Sequence, residues 1–276
     1  MLFRSGETKL SAGLSLFCGG KGLNQSIAAA RAGNQVCHAG LIGEDGGMLL
    51  DKLLENGVDT SLITTVPGRC GHAIIQVNDK GQNCILLYGG TNRQLTHEII
   101  DDIFEKFGTD GAVLLQNEVN LLPYIIRKAH EKGLPVFLNA APMDEGIHEC
   151  PLEMLDWLIV NEVEGRQLAG CEKDEDILPT LAEKYPQMSV LLTLGSRGAT
   201  CRSKGQVYTV NACKVQAVDT TAAGDTFSGY FMYGVLNGYS IPECLQMATV
   251  ASALCVGRPG AADSVPLKAE IGRAHV

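Results

Sequence analysis

The chain has 276 residues, 45% of them apolar and 19% charged, and 22 Lys and Arg against 31 Asp and Glu give a net charge of −9. That apolar content excludes a disordered chain, and an acidic chain repels phosphate backbones, so no nucleic-acid partner is expected. No run approaches the ~20 apolar residues of a spanning helix, so no membrane partner is expected either. The ten cysteines, at 18, 37, 70, 84, 150, 171, 201, 213, 244 and 255, contain no C-x2-C pair, which removes the usual zinc spacing. Scattered cysteines without a secretory leader imply small buried hydrophobes in a reducing cytoplasm.

From the N-terminus, residues 1–5 read as a non-native end, and so do residues 271–276. No strand-like run precedes Gly19, although an α/β domain ordinarily begins with a core strand, so the first core strand is expected to be missing. Helix periodicity then covers Leu23–Ala32, Met48–Asn56, His97–Phe107, Leu121–Lys132 and Ile177–Lys184. Strand-like runs lie between these, at Val36–Ile42, Ala112–Gln116, Val136–Asn139, Trp157–Val160 and Val190–Leu194. They are nearly all apolar, as expected of strands buried on both faces. Alternation of this kind predicts a mostly parallel sheet covered by helices.

One region breaks the rhythm. Residues 71–77 and 82–88 flank Asn78-Asp79-Lys80-Gly81, which reads as a β-hairpin projecting from the sheet as a lid. Residues 7–17 are expected to add a further strand to it. No repeat or linker interrupts the chain, which reads as a single domain over residues 6–270.

Two glycine-rich motifs carry the chemistry. Gly19-Gly20-Lys21-Gly22-Leu23-Asn24-Gln25 leads into an alanine-rich helix. Its glycines let a backbone approach a ligand closely, and amides at a helix start bind polar or anionic groups. Gly22 after Lys21 rules out a P-loop, and a plain structural turn remains an equal reading. The second motif is Asp219-Thr220-Thr221-Ala222-Ala223-Gly224-Asp225-Thr226-Phe227, ahead of a helix over Phe227–Leu236. Small residues let successive amides converge where negative charge develops, and a carboxylate in the first turn can take a proton there. The competing reading makes Asp219 an N-cap and Asp225 a dipole-complementing acid. Lys21 and Arg197 read as solvated loop cations, Trp157 as core, and the five histidines before the tail lack metal spacing.

Together, GGKGLNQ at 19–25 and DTTAAGDTF at 219–227 resemble the two signatures of the ribokinase (PfkB-type carbohydrate kinase) family. The resemblance covers about residues 6–270 and implies a ribokinase-like three-layer α/β fold with a small β-lid. It also implies roles by position. Asp225 matches the base that deprotonates the acceptor hydroxyl, and Ala222, Ala223 and Gly224 match the anion hole. Gly20, Gly22, Asn24 and Glu118 match sugar contacts. Asn161 and Glu164 match the metal and phosphate element, and Thr193, Gly195 and Gly198 the nucleotide loop. Asp219 and Thr221 match a monovalent-cation site completed by the segment from Arg258 to Ser264. The implied reaction is ATP plus D-ribose to ADP plus D-ribose 5-phosphate, with Mg²⁺ and K⁺ as cofactors, in a cytoplasmic homodimer formed through the lid. Another sugar or a nucleoside, or a non-catalytic binding relative, are the alternatives. Two departures stand out: the anion hole reads AAGD instead of GAGD, and the first strand, which carries two sugar-gripping side chains in the family, is not found.

Overall fold

The computed structural model describes residues 6, 8, 10–77 and 83–272. In chain order the elements are α1 (Lys21–Ala32), β1 (Cys37–Ile42), α2 (Gly47–Glu55), β2 (Asp59–Thr65), β3 (His72–Val77), β4 (Asn83–Tyr88), α3 (His97–Phe107), β5 (Val113–Gln116) and α4 (Leu122–Glu131). They continue with β6 (Val136–Asn139), β7 (Trp157–Asn161), α5 (Glu162–Ala169), α6 (Asp174–Lys184), β8 (Ser189–Thr193), β9 (Ala199–Ser203), β10 (Gln206–Val210), α7 (Ala223–Leu236), α8 (Ile241–Val256) and α9 (Lys268–Ile271). Among the described residues no helix is long and apolar enough to cross a membrane.

A six-stranded sheet in the order β10-β9-β8-β7-β6-β5 forms the centre. Strands β5 to β8 pair in parallel, and β9 and β10 extend the sheet antiparallel. The period-2 alternation of side chains divides the core into two layers. Val136, Leu138, Leu158, Val160, Val190 and Leu192 pack under α3 to α6, with Phe104, Ile126, Leu168 and Ile177. On the opposite face Phe137, Trp157, Ile159 and Leu191 meet α1, α7 and α8 through Ile27, Phe231 and Leu245. Trp157 is core as expected; it stacks on Phe137 at 5.8 Å and meets Phe231 edge-on at 5.2 Å. Each large side chain so buried contributes roughly 1.5–3 kcal/mol.

Strands β1 and β2 form a separate parallel pair. A cleft of about 2460 Å³ is lined by residues of β1 to β5 and of α1 to α3. This explains why β5 is only half-buried while the equally apolar β6 is fully buried. The predicted hairpin is present as β3 and β4, paired antiparallel and apart from both other sheets. Its turn, residues 78–81, lies outside the described residues, as do residues 1–5 and 273–276. Ala73, Ile75, Ile85 and Leu87 share one hairpin face and line the cleft.

One expectation needs correction, and three strands add to the predicted elements. The described part of residues 7–17 forms no strand and is exposed, because Leu10, Leu14, Leu16 and Phe17 meet no sheet edge to pair with. Strand β2 was not anticipated, since Asp59-Thr60-Ser61 masks its apolar pattern. Strands β9 and β10 also lie outside the predicted runs; Arg202 and Ser203 break the apolar pattern of β9, and Gln206 and Thr209 that of β10.

Candidate active site

Helices α1 and α7 lie side by side and run in the same direction. Asn24 and Gln25 face Asp225, Ala28 and Ala29 face Gly229, and Gly33 faces Tyr233. Small residues permit this approach: a Cβ on Gly229 would sit 2.6 Å from the Ala28 Cβ and 2.7 Å from the Ala29 nitrogen. The parallel arrangement brings both helix N-termini, each carrying partial positive charge, to the same place.

Asp225 occupies the first turn of α7 and is buried. Asn24 Nδ2 donates to its Oδ2 at 2.9 Å, and Gln25 Nε2 donates to its Oδ1, also at 2.9 Å. Burial pushes the carboxyl pKa above its ordinary value; the Gln25 and Asn24 donors and the Lys21 charge oppose that rise. The carbonyl Oδ1 of Asn24 is buried and has no hydrogen-bond partner among the described residues.

Ahead of Asp225 the chain turns through Ala222, which has left-handed backbone angles (φ 61°, ψ 7°). The Ala223 nitrogen donates to Thr220 O, and the regular helix bonds begin with Thr226 N to Ala222 O. No side chain among the described residues caps this N-terminus, so the Gly224 and Asp225 amides are available to an anion.

Glu118, just after β5, is half-buried and 3.8 Å from Lys21 Nζ. Burial raises its pKa, Lys21 lowers it, and Asp225 raises it further. Lys21 is therefore not a free loop cation as the sequence suggested; its charge acts on Glu118, Asp225 and Glu164 together. Its place within the glycine motif was the available signal. Arg197 instead pairs with Asp174 at 2.6 Å and lies 3.8 Å from Glu162. Gly20 precedes α1 with φ 102°, and Gly22 faces Gln116 and His38. Burial holds the His38 pKa down at about 4, and its ring bonds Ser26 at 2.7 Å, so it brings no charge to the site.

Asn161 and Glu164 form a capping box at the start of α5. Asn161 Oδ1 accepts from the Val163 and Glu164 nitrogens, and Glu164 Oε2 accepts from the Asn161 nitrogen at 3.0 Å. Glu164 is buried, and that burial raises its pKa. Thr193 ends β8, and its hydroxyl donates to Val160 O. Gly195 and Gly198 both have positive φ, and a Cβ on Gly198 would lie 2.0 Å from Val210 O, so only glycine fits there. The Asp219 carboxylate accepts from the Thr221 nitrogen and hydroxyl and from the Gly260 nitrogen. Cys255 Sγ bonds both Thr221 O and Ser264 Oγ, so the 219–221 and 260–264 segments meet. Among the described residues no cluster of three His, Cys, Asp or Glu forms a metal site.

The sequence matches the description pfkB family carbohydrate kinase over residues 2–268. It is 33% identical over 276 residues to a protein of Haemophilus influenzae named ribokinase, covering 97% of this chain and 90% of that one. The crystal structure of ribokinase from Cryptococcus neoformans in complex with ADP superposes with a TM-score of 0.86 at 35% identity, covering 98% of this chain and 93% of that one. Arabidopsis thaliana ribokinase complexed with ribose and ATP superposes with a TM-score of 0.86 at 30% identity, covering 98% and 91%.

Proposed function

The chain belongs to the pfkB family of carbohydrate kinases, and from that premise we propose that it transfers the γ-phosphoryl group of ATP to D-ribose, giving ADP and D-ribose 5-phosphate. The observation that carries this reading is Asp225: a buried carboxylate, held by two amides, beside an uncapped helix N-terminus. Asp225 accepts the proton of the sugar hydroxyl. The oxygen so freed bonds to the γ-phosphorus as the bond to the β–γ bridging oxygen breaks, and ADP leaves. The amides of Gly224 and Asp225 and the α7 dipole hold charge on the transferring group. Ala222 sets their direction.

The sugar lies against Gly20 and Gly22, with Asn24 Oδ1 accepting from one hydroxyl and Glu118 from another. The nucleotide lies along the carboxyl ends of β7 and β8, near Asn161, Thr193, Gly195 and Gly198. Magnesium fits beside Glu164, a buried acid whose second oxygen is not used by the capping box; when bound it offsets negative charge on the phosphates. Potassium fits where Asp219 and Thr221 meet the 260–264 segment, held by oxygen ligands. Ser264 adds a hydroxyl oxygen to this site; its proton goes to Ala261 O, which leaves the oxygen lone pairs for a cation.

The hairpin closes over the sugar and excludes water, which protects ATP from hydrolysis. The exposed apolar side chains of the hairpin, among them Leu86 outside the cleft lining, support a homodimer formed through the lid. Ten free cysteines, five of them buried, support a reducing cytoplasmic setting for a single domain over residues 6–270. The test is ADP release with ribose, deoxyribose, fructose, fructose 6-phosphate and adenosine as acceptors. Ribose is expected to give the highest turnover, and Asp225→Asn to lower it by about three or more orders of magnitude. Turnover surviving in that variant, or an absolute preference for another acceptor, would overturn the reading.

A further inference from the structure

We propose that Gln116 and Gln25 form a two-amide relay that sets the orientation of the Asp225 base, with Gln116 acting only through Gln25. This rests on the reading of Asp225 as the base. Gln25 is fully buried on α1. Its Nε2 donates to Asp225 Oδ1 at 2.9 Å, and its Oε1 accepts from Gln116 Nε2 at 2.7 Å.

The logic lies in the asymmetry of a side-chain amide, which donates at one end and accepts at the other. Either end of Gln25 would fit against Asp225 by shape. Turned around, its carbonyl oxygen would face a carboxylate oxygen, and two acceptors repel. Gln116 removes the ambiguity by offering a donor to the far end. With Oε1 held by Gln116, Nε2 must point at Asp225.

Strand geometry explains why Gln116 is in reach. Leu114 packs with the α1 and α7 layer, whereas Val113 and Leu115 pack with the opposite layer. Two residues after Leu114, Gln116 projects to the α1 side at the end of β5. Gly22 gives it room: a Cβ there would stand 3.2 Å from Gln116 Oε1.

The charged groups that act with Asp225 are Lys21 on α1, which favours its ionised form, and Glu118 after β5, with which it repels mutually. Helix α7 brings no other acid or base to its first turn. Loss of the Gln25 donor therefore leaves burial and Glu118 less opposed, and the base holds its proton to higher pH. Activity that needs the ionised base is then lost from the acid side sooner.

The experiment compares Gln25→Leu, Gln116→Leu, Gln116→Met and the double variant Gln25→Leu/Gln116→Leu with the parent chain. kcat and KM for ribose are read across pH, and the Asp225 carboxyl is titrated by ¹³C NMR with labelled aspartate. Each single variant is expected to lower kcat by roughly tenfold or more with a smaller change in KM, and to move both the acid limb and the titration to higher pH. The double variant should match Gln25→Leu alone, because Gln116 has no route to Asp225 except through Gln25. Thermal unfolding identifies a variant that has merely lost its fold, and Gln116→Met supplies a second, length-matched test. The relay is overturned if Gln116→Leu and Gln116→Met leave the titration where the parent has it, or if the two losses add. A chain without ribose turnover whose carboxyl titration still follows this pattern would keep the relay and reject ribose as the acceptor.

Discussion

At the scale of single residues, Ala222 shows how a site tolerates a poor local choice. Its φ of 61° is a left-handed conformation that costs an L-residue about 1–2 kcal/mol. The turn nevertheless forms, because the amides it aligns belong to a helix fixed by packing further along. Ala222→Gly should stabilise the protein by about 0.5–1 kcal/mol, the relief being partly offset by the entropy of glycine in the unfolded chain. Turnover should change little, since the backbone amides stay where they are. A thermal-unfolding midpoint that falls in this variant would show that the Ala222 methyl group packs usefully. The motif reading placed Ala222 and Asp225 in the site from sequence alone. It could not supply the partners of Asp225, because Asn24 and Gln25 lie 201 and 200 residues away.

At the scale of elements, the contact of α1 with α7 decides whether there is a site at all. Gly229 lies one turn beyond Asp225, and its missing side chain lets the helices meet. Gly229→Ala would drive a methyl group into Ala28 and Ala29, and overpacking of this kind costs about 1–3 kcal/mol. The displacement would also draw Asn24 and Gln25 away from Asp225, so turnover should fall with stability. Urea unfolding and steady-state kinetics of the one variant measure both; a loss of stability with unchanged kcat would show that α1 moves without carrying the amides. The helix periodicity of Leu23–Ala32 and the apolar character of α7 were legible in the sequence. Their mutual register was not, because periodicity reports which face is buried and not what covers it.

Across the whole molecule, the hairpin β3–β4 stands out as apolar surface. Ile74, Ile75, Ile85, Leu86, Leu87 and Tyr88 are each more than half exposed. A two-stranded hairpin is marginal on its own and gains stability from a surface to lie against. Side chains of both faces line the cleft, whereas Leu86 is exposed and lies outside that lining. Leu86→Lys, outside the cleft lining, should shift sedimentation of the proposed dimer toward the monomer. KM for ribose should rise several-fold, because the lid loses its support. A chain that sediments as a monomer before any substitution would remove the dimer from the account.

Local chemistry, written in the sequence, determined the alternation of strands and helices, the hairpin and the two glycine motifs. Each depends on residues within about ten positions of one another, where backbone sterics and side-chain period act directly. The tertiary structure alone decided that β1 and β2 stand apart from the six-stranded sheet. It also decided that Lys21 is ion-paired with Glu118. Finally, it brought Gln116, Gln25 and Asp225 into one hydrogen-bonded line. Those outcomes come from packing between distant segments, whose partners are chosen by shape and small-residue contact and not by any local pattern.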